Sequence, residues 1–133
     1  METITRVAVD WADIDAMGHV NNLAILRYIQ SARVVICRAA GVMPEYVSPA
    51  IGPIVAQLDV RFKKPLFFPG EAVIESRVTG RRETSFTLTH RVLDASGELV
   101  AEENEVMVYY DYRAGRKLPL PEAFPDTPQN KDL

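Results

Sequence analysis

One segment of the chain, Leu23 to Ala40, carries the period of a helix, and most of the chain after it carries the period of strands. Ile25, Ile29, Ala32, Ile36 and Ala39 recur at helical spacing, and Gly41 stands where such a helix, about 18 residues and roughly 27 Å long, would stop. Its polar residues Arg27, Gln30, Ser31, Arg33 and Arg38 do not gather on one wide face, so a largely buried helix is expected. Residues 3–10, rich in β-branched side chains, read as a strand before it. After it, Ile54, Ala56, Leu58, Val60 and Phe62 alternate with Val55, Gln57, Asp59 and Arg61, giving one apolar face. Further strands are expected over Ala72–Thr79, Thr84–Leu93 and Leu99–Tyr112, separated by turn-forming residues at Phe68-Pro69-Gly70-Glu71, Gly80-Arg81-Arg82-Glu83 and Asp94-Ala95-Ser96-Gly97. Met43 to Pro53 reads as a loop, and the proline-rich chain from Arg113 as a tail whose last eight or so residues are expected to be mobile. The order β-α-β-β-β-β implies an α+β fold in which an antiparallel sheet curls around the helix. One sheet covers only part of such a helix, which points to a second copy completing the enclosure.

Bulk properties exclude several classes. A chain of 133 residues suits one domain, and 47% apolar with 25% charged residues is ordinary globular usage. A formal net charge of −3 argues against a nucleic-acid binder. Cys37 is the only cysteine, so neither an intrachain disulfide nor a multi-cysteine metal site is expected. The first ten residues hold no apolar leader core, and no apolar run reaches the ~18 residues of a membrane span, so a cytoplasmic protein without membrane partners is expected.

Chemistry-bearing residues concentrate in Trp11-Ala12-Asp13-Ile14-Asp15-Ala16-Met17-Gly18-His19-Val20-Asn21-Asn22, where a strand hands over to the helix. Read as a calcium loop from Asp13, the stretch would place Ala24 at the position of the bidentate acid, which removes that reading. A phosphoryl-transfer aspartate pair should follow a fully apolar strand, and Asp10 and Trp11 interrupt this one. A helix N-terminus presents unpaired N–H groups and partial positive charge, suited to polarising a carbonyl, and a carboxylate beside it becomes a base or a nucleophile. Asn21 or Asn22 serves as the helix cap or contacts a ligand; His19 is either an acid/base group or a structural histidine. Asp13 is expected to cap, pair or shape the loop. His90 shares a strand face with Phe86, Leu88 and Val92 and is expected in the core or an interface.

The run Asp13-Ile14-Asp15-Ala16-Met17-Gly18-His19-Val20-Asn21-Asn22, followed by Tyr28, resembles the D-x-D-x-x-G-H-V-N-N signature of hotdog-fold thioesterases of the 4-hydroxybenzoyl-CoA thioesterase-like superfamily. Similarity continues through Gly52-Pro53-Ile54-Val55, Phe62-Lys63-Lys64-Pro65-Leu66, Gly70-Glu71, Ser85-Phe86 and Leu118-Pro119-Leu120-Pro121. The resemblance implies a hotdog fold, one long central helix wrapped by a five-stranded antiparallel sheet, as a single domain over residues 1–121 with a tail over 122–133. It implies dimers, often paired into tetramers, with sites at the subunit interface, and hydrolysis of an acyl-CoA or acyl-carrier-protein thioester with no cofactor beyond the substrate's own coenzyme A and no metal. Asp15 would be nucleophile or general base, and the backbone N–H near Asn22 would polarise the thioester carbonyl. His19 matches a position that takes part in catalysis in plant acyl-carrier-protein thioesterases, which carry asparagine where this chain has Met17. Many relatives carry glutamate where this helix has Gln30. Arg81-Arg82 before Ser85 resemble arginines that contact coenzyme A phosphates, with Lys63 and Lys64 as second candidates. Asn21, Ile54 and Val55 complete the expected substrate contacts. A non-catalytic acyl-CoA or acyl-carrier binding module and a hotdog dehydratase or hydratase are the alternatives on the same fold.

Overall fold

The structure, a computed structural model, describes residues 1–44 and 50–127. Its elements are β1 (Glu2–Ala8), α1 (Asn22–Ala39), β2 (Ile51–Phe62), β3 (Glu71–Arg81), β4 (Ser85–Leu93), β5 (Leu99–Asp111) and a two-residue β6 (Arg116–Lys117). The strands form one antiparallel sheet in the order β1-β3-β4-β5-β2, with β6 added on β5. The expected α+β architecture is therefore present, one helix packed on five long strands, and the extra β6 carries no periodic signal because it is two residues long. Part of the expected loop at Met43–Pro53 lies outside the described residues, and the rest of it differs: β2 begins at Ile51, and Pro53 is tolerated because β2 is an edge strand.

The helix starts and stops where its ends are chemically satisfied. Asn21 is the cap, its Oδ1 accepting from Ala24 N at 2.8 Å, and Gly41 (φ 80°) takes the left-handed turn past the end. One face buries Ala24, Ile25, Tyr28, Ile29, Ala32, Ile36 and Cys37. The opposite face, with Leu23, Arg27, Gln30, Val35 and Arg38, is exposed, so within one chain the helix is less buried than its scattered polar residues suggested.

The core beneath the helix falls into two apolar clusters. Ile25, Tyr28, Ile29, Ala32, Ile74 and Val92 belong to one; Ile36, Val78, Phe86, Leu88, Met107 and Phe124 belong to the other. Each fully buried side chain of this size stabilises the fold by ~1.5–3 kcal/mol. Between the clusters runs a polar band: Ser76, His90 and Glu103 are successive cross-strand neighbours, with Glu105 beside them and Arg33 reaching down from α1. The segment after β6 packs rather than trails, since Leu120 and Phe124 are buried and the Phe124 ring lies 4.9 Å from that of Phe86.

β2 departs from its sequence pattern. A bulge between Val55 and Gln57 inserts Ala56 against β5, so Val55 pairs with Met107 while Gln57 pairs with Val106. Val55, Leu58, Val60 and Phe62 thereby share the helix-side face with buried Met107, Glu105, Glu103 and Ala101, and Ile54 falls on the other side with Val108. The single apolar stripe expected from alternation is split, and the strand stays uncovered: Val55 is 37% and Phe62 46% exposed.

Candidate active site

The loop between β1 and α1 is built by its own backbone. Asp10 caps a 3-10 turn over Trp11–Asp13, its Oδ1 accepting from Ala12 N at 2.8 Å. Ile14 and Val20 then face each other across a bridge, Asp15 N donates to His19 O at 3.0 Å, and Gly18 N donates to Asp15 O at 3.0 Å. Gly18 (φ 85°) occupies the left-handed region that this turn needs, which a side chain would resist. Asp15 and His19 thus project from the tip of a small hairpin. The Asp15 carboxylate accepts from Met17 N at 2.9 Å through Oδ1, and its Oδ2 lies 3.9 Å from His19 Nδ1. Both side chains are about one third exposed (34% and 37%). They stand close enough to feel each other's charge while keeping faces open to a ligand.

Asp13 does the opposite. Its carboxylate is buried, accepting from the Tyr28 hydroxyl at 2.5 Å and from Arg27 Nη2 at 2.5 Å. The Tyr28 hydrogen bond, followed by that of Arg27, holds the Asp13 carboxyl below the usual carboxylate range. Its main-chain oxygen accepts twice from Asn21, from N at 3.0 Å and from Nδ2 at 3.1 Å. Asn21 is therefore the cap, and Asn22 is the first helical residue, whose amide has no acceptor among the described residues.

A cleft of about 270 Å³ opens at this helix start, lined by His19, Asn22, Ile25 and Phe62 together with Lys63 and Lys64. Lys64 is engaged in ion pairs with Glu98 and with Asp94 Oδ2 (2.9 Å), which raise its pKa. Lys63 has no such partner among the described residues. The structure therefore brings His19, Asn22 and the two lysines together, with Asp15 beside His19.

The remaining expected contacts lie elsewhere in the chain. Ile54 and Val55 sit near the far end of β2, eight residues or roughly 26 Å of strand from Phe62. Ser85 pairs with Val108, the same β5 residue that faces Ile54, so Arg82 and Ser85 share that far end. Arg81 is engaged there with the C-terminal segment: Nη1 donates to Phe124 O at 2.6 Å, and the guanidinium lies 5.2 Å from the Phe124 ring centre. Arg82 is exposed.

A second polar cluster lies beyond the reach of the sequence reading except for His90. Arg33 donates to both oxygens of Glu105 (Nε at 2.9 Å, Nη2 at 2.6 Å), His90 Nε2 lies 3.0 Å from Glu105 Oε1, and Ser76 Oγ lies 2.7 Å from His90 Nδ1. Ser-His-acid connectivity is that of a nucleophilic triad, yet Ser76, His90 and Glu105 are buried and no substrate reaches them. His90, Glu103 and Glu105 also offer ligand atoms within 4.8 Å of one another, but His90 Nε2 and both Glu105 oxygens already face partners. Burial, and then the adjacent Glu105, push the Glu103 carboxyl well above the carboxylate range. Burial also pushes the Cys37 thiol up to about 12, leaving it inert.

Residues 9–126 match the sequence profile of the thioesterase-like superfamily. The chain belongs to that superfamily. A thioesterase from Thermus thermophilus, solved with coenzyme A and Zn, is 31% identical with a TM-score of 0.79, covering 90% of this chain and 91% of its own. A Xanthomonas campestris protein assigned as an acyl-CoA thioesterase is 35% identical with a TM-score of 0.70, covering 80% and 91%. The PA2801 protein of Pseudomonas aeruginosa, assigned as a thioesterase, is 28% identical with a TM-score of 0.82, covering 90% and 92%. A comparison with curated protein sequences returns no match. Among the described residues no helix is long and apolar enough to cross a membrane.

Proposed function

We propose that this thioesterase-superfamily chain hydrolyses acyl-CoA thioesters, with Asp15 as the reacting carboxylate and the start of α1 as the oxyanion site. The observation that carries the reading is the open Asp15–His19 pair, whose histidine lines one cleft with Asn22, the first residue of the helix. Asp15 takes a proton from water as the water oxygen adds to the thioester carbon, or adds itself and is later released by water. The carbonyl oxygen gains charge and is met by the Asn22 N–H and the positive end of the helix. Collapse breaks the C–S bond, the thiolate of coenzyme A takes up the proton, and the acid leaves. His19, which lines the cleft, donates to the thioester or to the departing sulfur. Coenzyme A enters as part of the substrate, and no separate cofactor is required by this chemistry.

A second copy completes the site. Antiparallel pairing of two β2 edges about Leu58 sets Ile54 of one chain opposite Phe62 of the other, because the two positions lie four residues on either side. The far end of one sheet, with Val55, Arg82 and Ser85, then adjoins the cleft of its partner. That arrangement also covers the exposed Ile54, Leu58 and Phe62 and removes a long bare edge. Lys63 and Arg82 become the cations left for coenzyme A phosphates, Lys64 and Arg81 being engaged within the chain.

Free-thiol release from acyl-CoAs of several chain lengths and one aryl-CoA tests the reading. Asp15→Asn should lower turnover by ~10²–10⁴ with the fold intact. A variant as active as wild type would remove Asp15 from the mechanism, and a chain that sediments as a monomer at full activity would remove the second copy.

A further inference from the structure

We infer that Tyr28 is a positioning residue for hydrolysis, acting through Asp13 to fix Asp15 relative to the first amide of α1. The inference rests on the reading of Asp15 and the helix start given above. Asp13 and Asn21 form the neck of the loop that carries Asp15 and His19: the two Asn21 donors meet the Asp13 carbonyl at 3.0 and 3.1 Å. A neck of this kind ties the loop only to the cap of the helix. The Asp13 side chain ties it again, about two turns further on, through the Tyr28 hydroxyl at 2.5 Å and Arg27 Nη2 at 2.5 Å. Two anchors on one rigid helix set both the distance and the angle at which the hairpin leaves it, and a small misplacement of a reacting group is costly in rate.

The two anchors are unequal. Tyr28 is 3% exposed, so its hydroxyl lacks water as an alternative partner, whereas the Arg27 side chain is 60% exposed and readily replaced by solvent. The ring of Tyr28 belongs to the apolar cluster with Ile25 and Ile29, so removal of the hydroxyl alone leaves the packing in place. The hydroxyl is buried and donates to Asp13, so its effect on the loop runs through that carboxylate.

Tyr28→Phe separates positioning from packing. Expected is a fall in kcat of about tenfold or more, with KM and the affinity for a non-hydrolysable thioether acyl-CoA changed by less than about twofold. Asp13→Asn, which keeps the shape and weakens the charge-assisted bonds, should lower kcat in the same way if Tyr28→Phe folds poorly, and Arg27→Leu should lower it least. A kcat unchanged in Tyr28→Phe and Asp13→Asn overturns the inference, as does a loss shared equally by kcat and thioether affinity, the mark of a merely loosened fold. If Asp15→Asn is inactive while Tyr28→Phe is unimpaired, positioning alone is wrong; if Asp15→Asn is fully active, both readings fall.

Discussion

Two places in this molecule gather carboxylates, a histidine and an arginine as close neighbours, and burial makes them chemically opposite. At the β1–α1 loop, Asp15 and His19 are 3.9 Å apart, each one third exposed, with ligand-facing atoms left over. Beneath the helix, Arg33, His90 and Glu105 are joined at 2.6 to 3.0 Å with water excluded. In the first, low mutual engagement leaves groups able to change partners during a reaction. In the second, every favourable contact is internal, and a charge there is tolerable only because another faces it. Asp13 shows that the distinction runs residue by residue, since two positions from Asp15 it is as fully engaged as Glu105. The same residue types therefore divide into machinery and scaffold by solvent access, and variants at the two places should carry opposite signatures.

The largest stability effect is expected at Glu105. Burial opposes its charge, but His90 and Arg33 hold its carboxyl below the usual range, so the charged pair is intact at neutral pH. Glu105→Gln leaves the Arg33 guanidinium without its counter-charge, and breaking a buried pair costs ~3–5 kcal/mol. For a chain of this length that corresponds to a fall in melting temperature of roughly 10 °C or more. Turnover per folded molecule, measured well below that melting point, should stay near wild type. Asp15→Asn should do the reverse, removing turnover while the melting temperature holds. Equal and parallel losses in both variants would erase the contrast between the two clusters.

That contrast was half legible in the sequence. The loop could be read because its chemistry is packed into ten consecutive residues, and the helix and long strands because their periods repeat. The buried band draws one or two residues from each of four elements, so no local window contains it. A signal existed nonetheless: Ala101, Glu103, Glu105 and Met107 alternate on one strand face whose ends are apolar, which places two acids in the core by period alone. The bulge at Ala56 left no mark, because an inserted residue changes register without changing chemistry, and it moved Ile54 off the face predicted for it. Arg81 and Arg82 looked alike in sequence; tertiary packing of Phe124 separates them, engaging the first and leaving the second exposed. Asn21 against Asn22 was open until the cap hydrogen bond to Ala24 decided it.

A smaller and more diagnostic effect belongs to Glu103. Both of its oxygens are buried without a hydrogen-bond donor among the described residues, and Arg33 Nη2 stays 3.8 Å from Oε2. Its carboxyl titrates above the unfolded value of about 4.5, so the protein binds a proton there that the unfolded chain has released. The stability this contributes is full below pH ~4.5 and is lost as pH rises toward the folded pKa. Glu103→Gln, neutral at every pH and able to donate to Glu105, should remove that slope. Denaturant midpoints measured from pH 5 to pH 9 should then fall less steeply for the variant than for wild type.

The smallest effect tests the loop's end of the comparison. Asn21 Oδ1 satisfies one orphan amide of α1, and its Nδ2 closes the neck on Asp13. Asn21→Ala should cost ~1 kcal/mol, and Asn21→Gly only a few tenths, if capping is the main term. The neck bond adds a second expectation, because glycine restores cap geometry but not the donor to Asp13. Turnover should therefore fall in both variants by a similar factor even though their stabilities differ. A turnover that tracked stability, recovering in Asn21→Gly, would mean that the cap alone matters and that the loop needs no second tie to present Asp15.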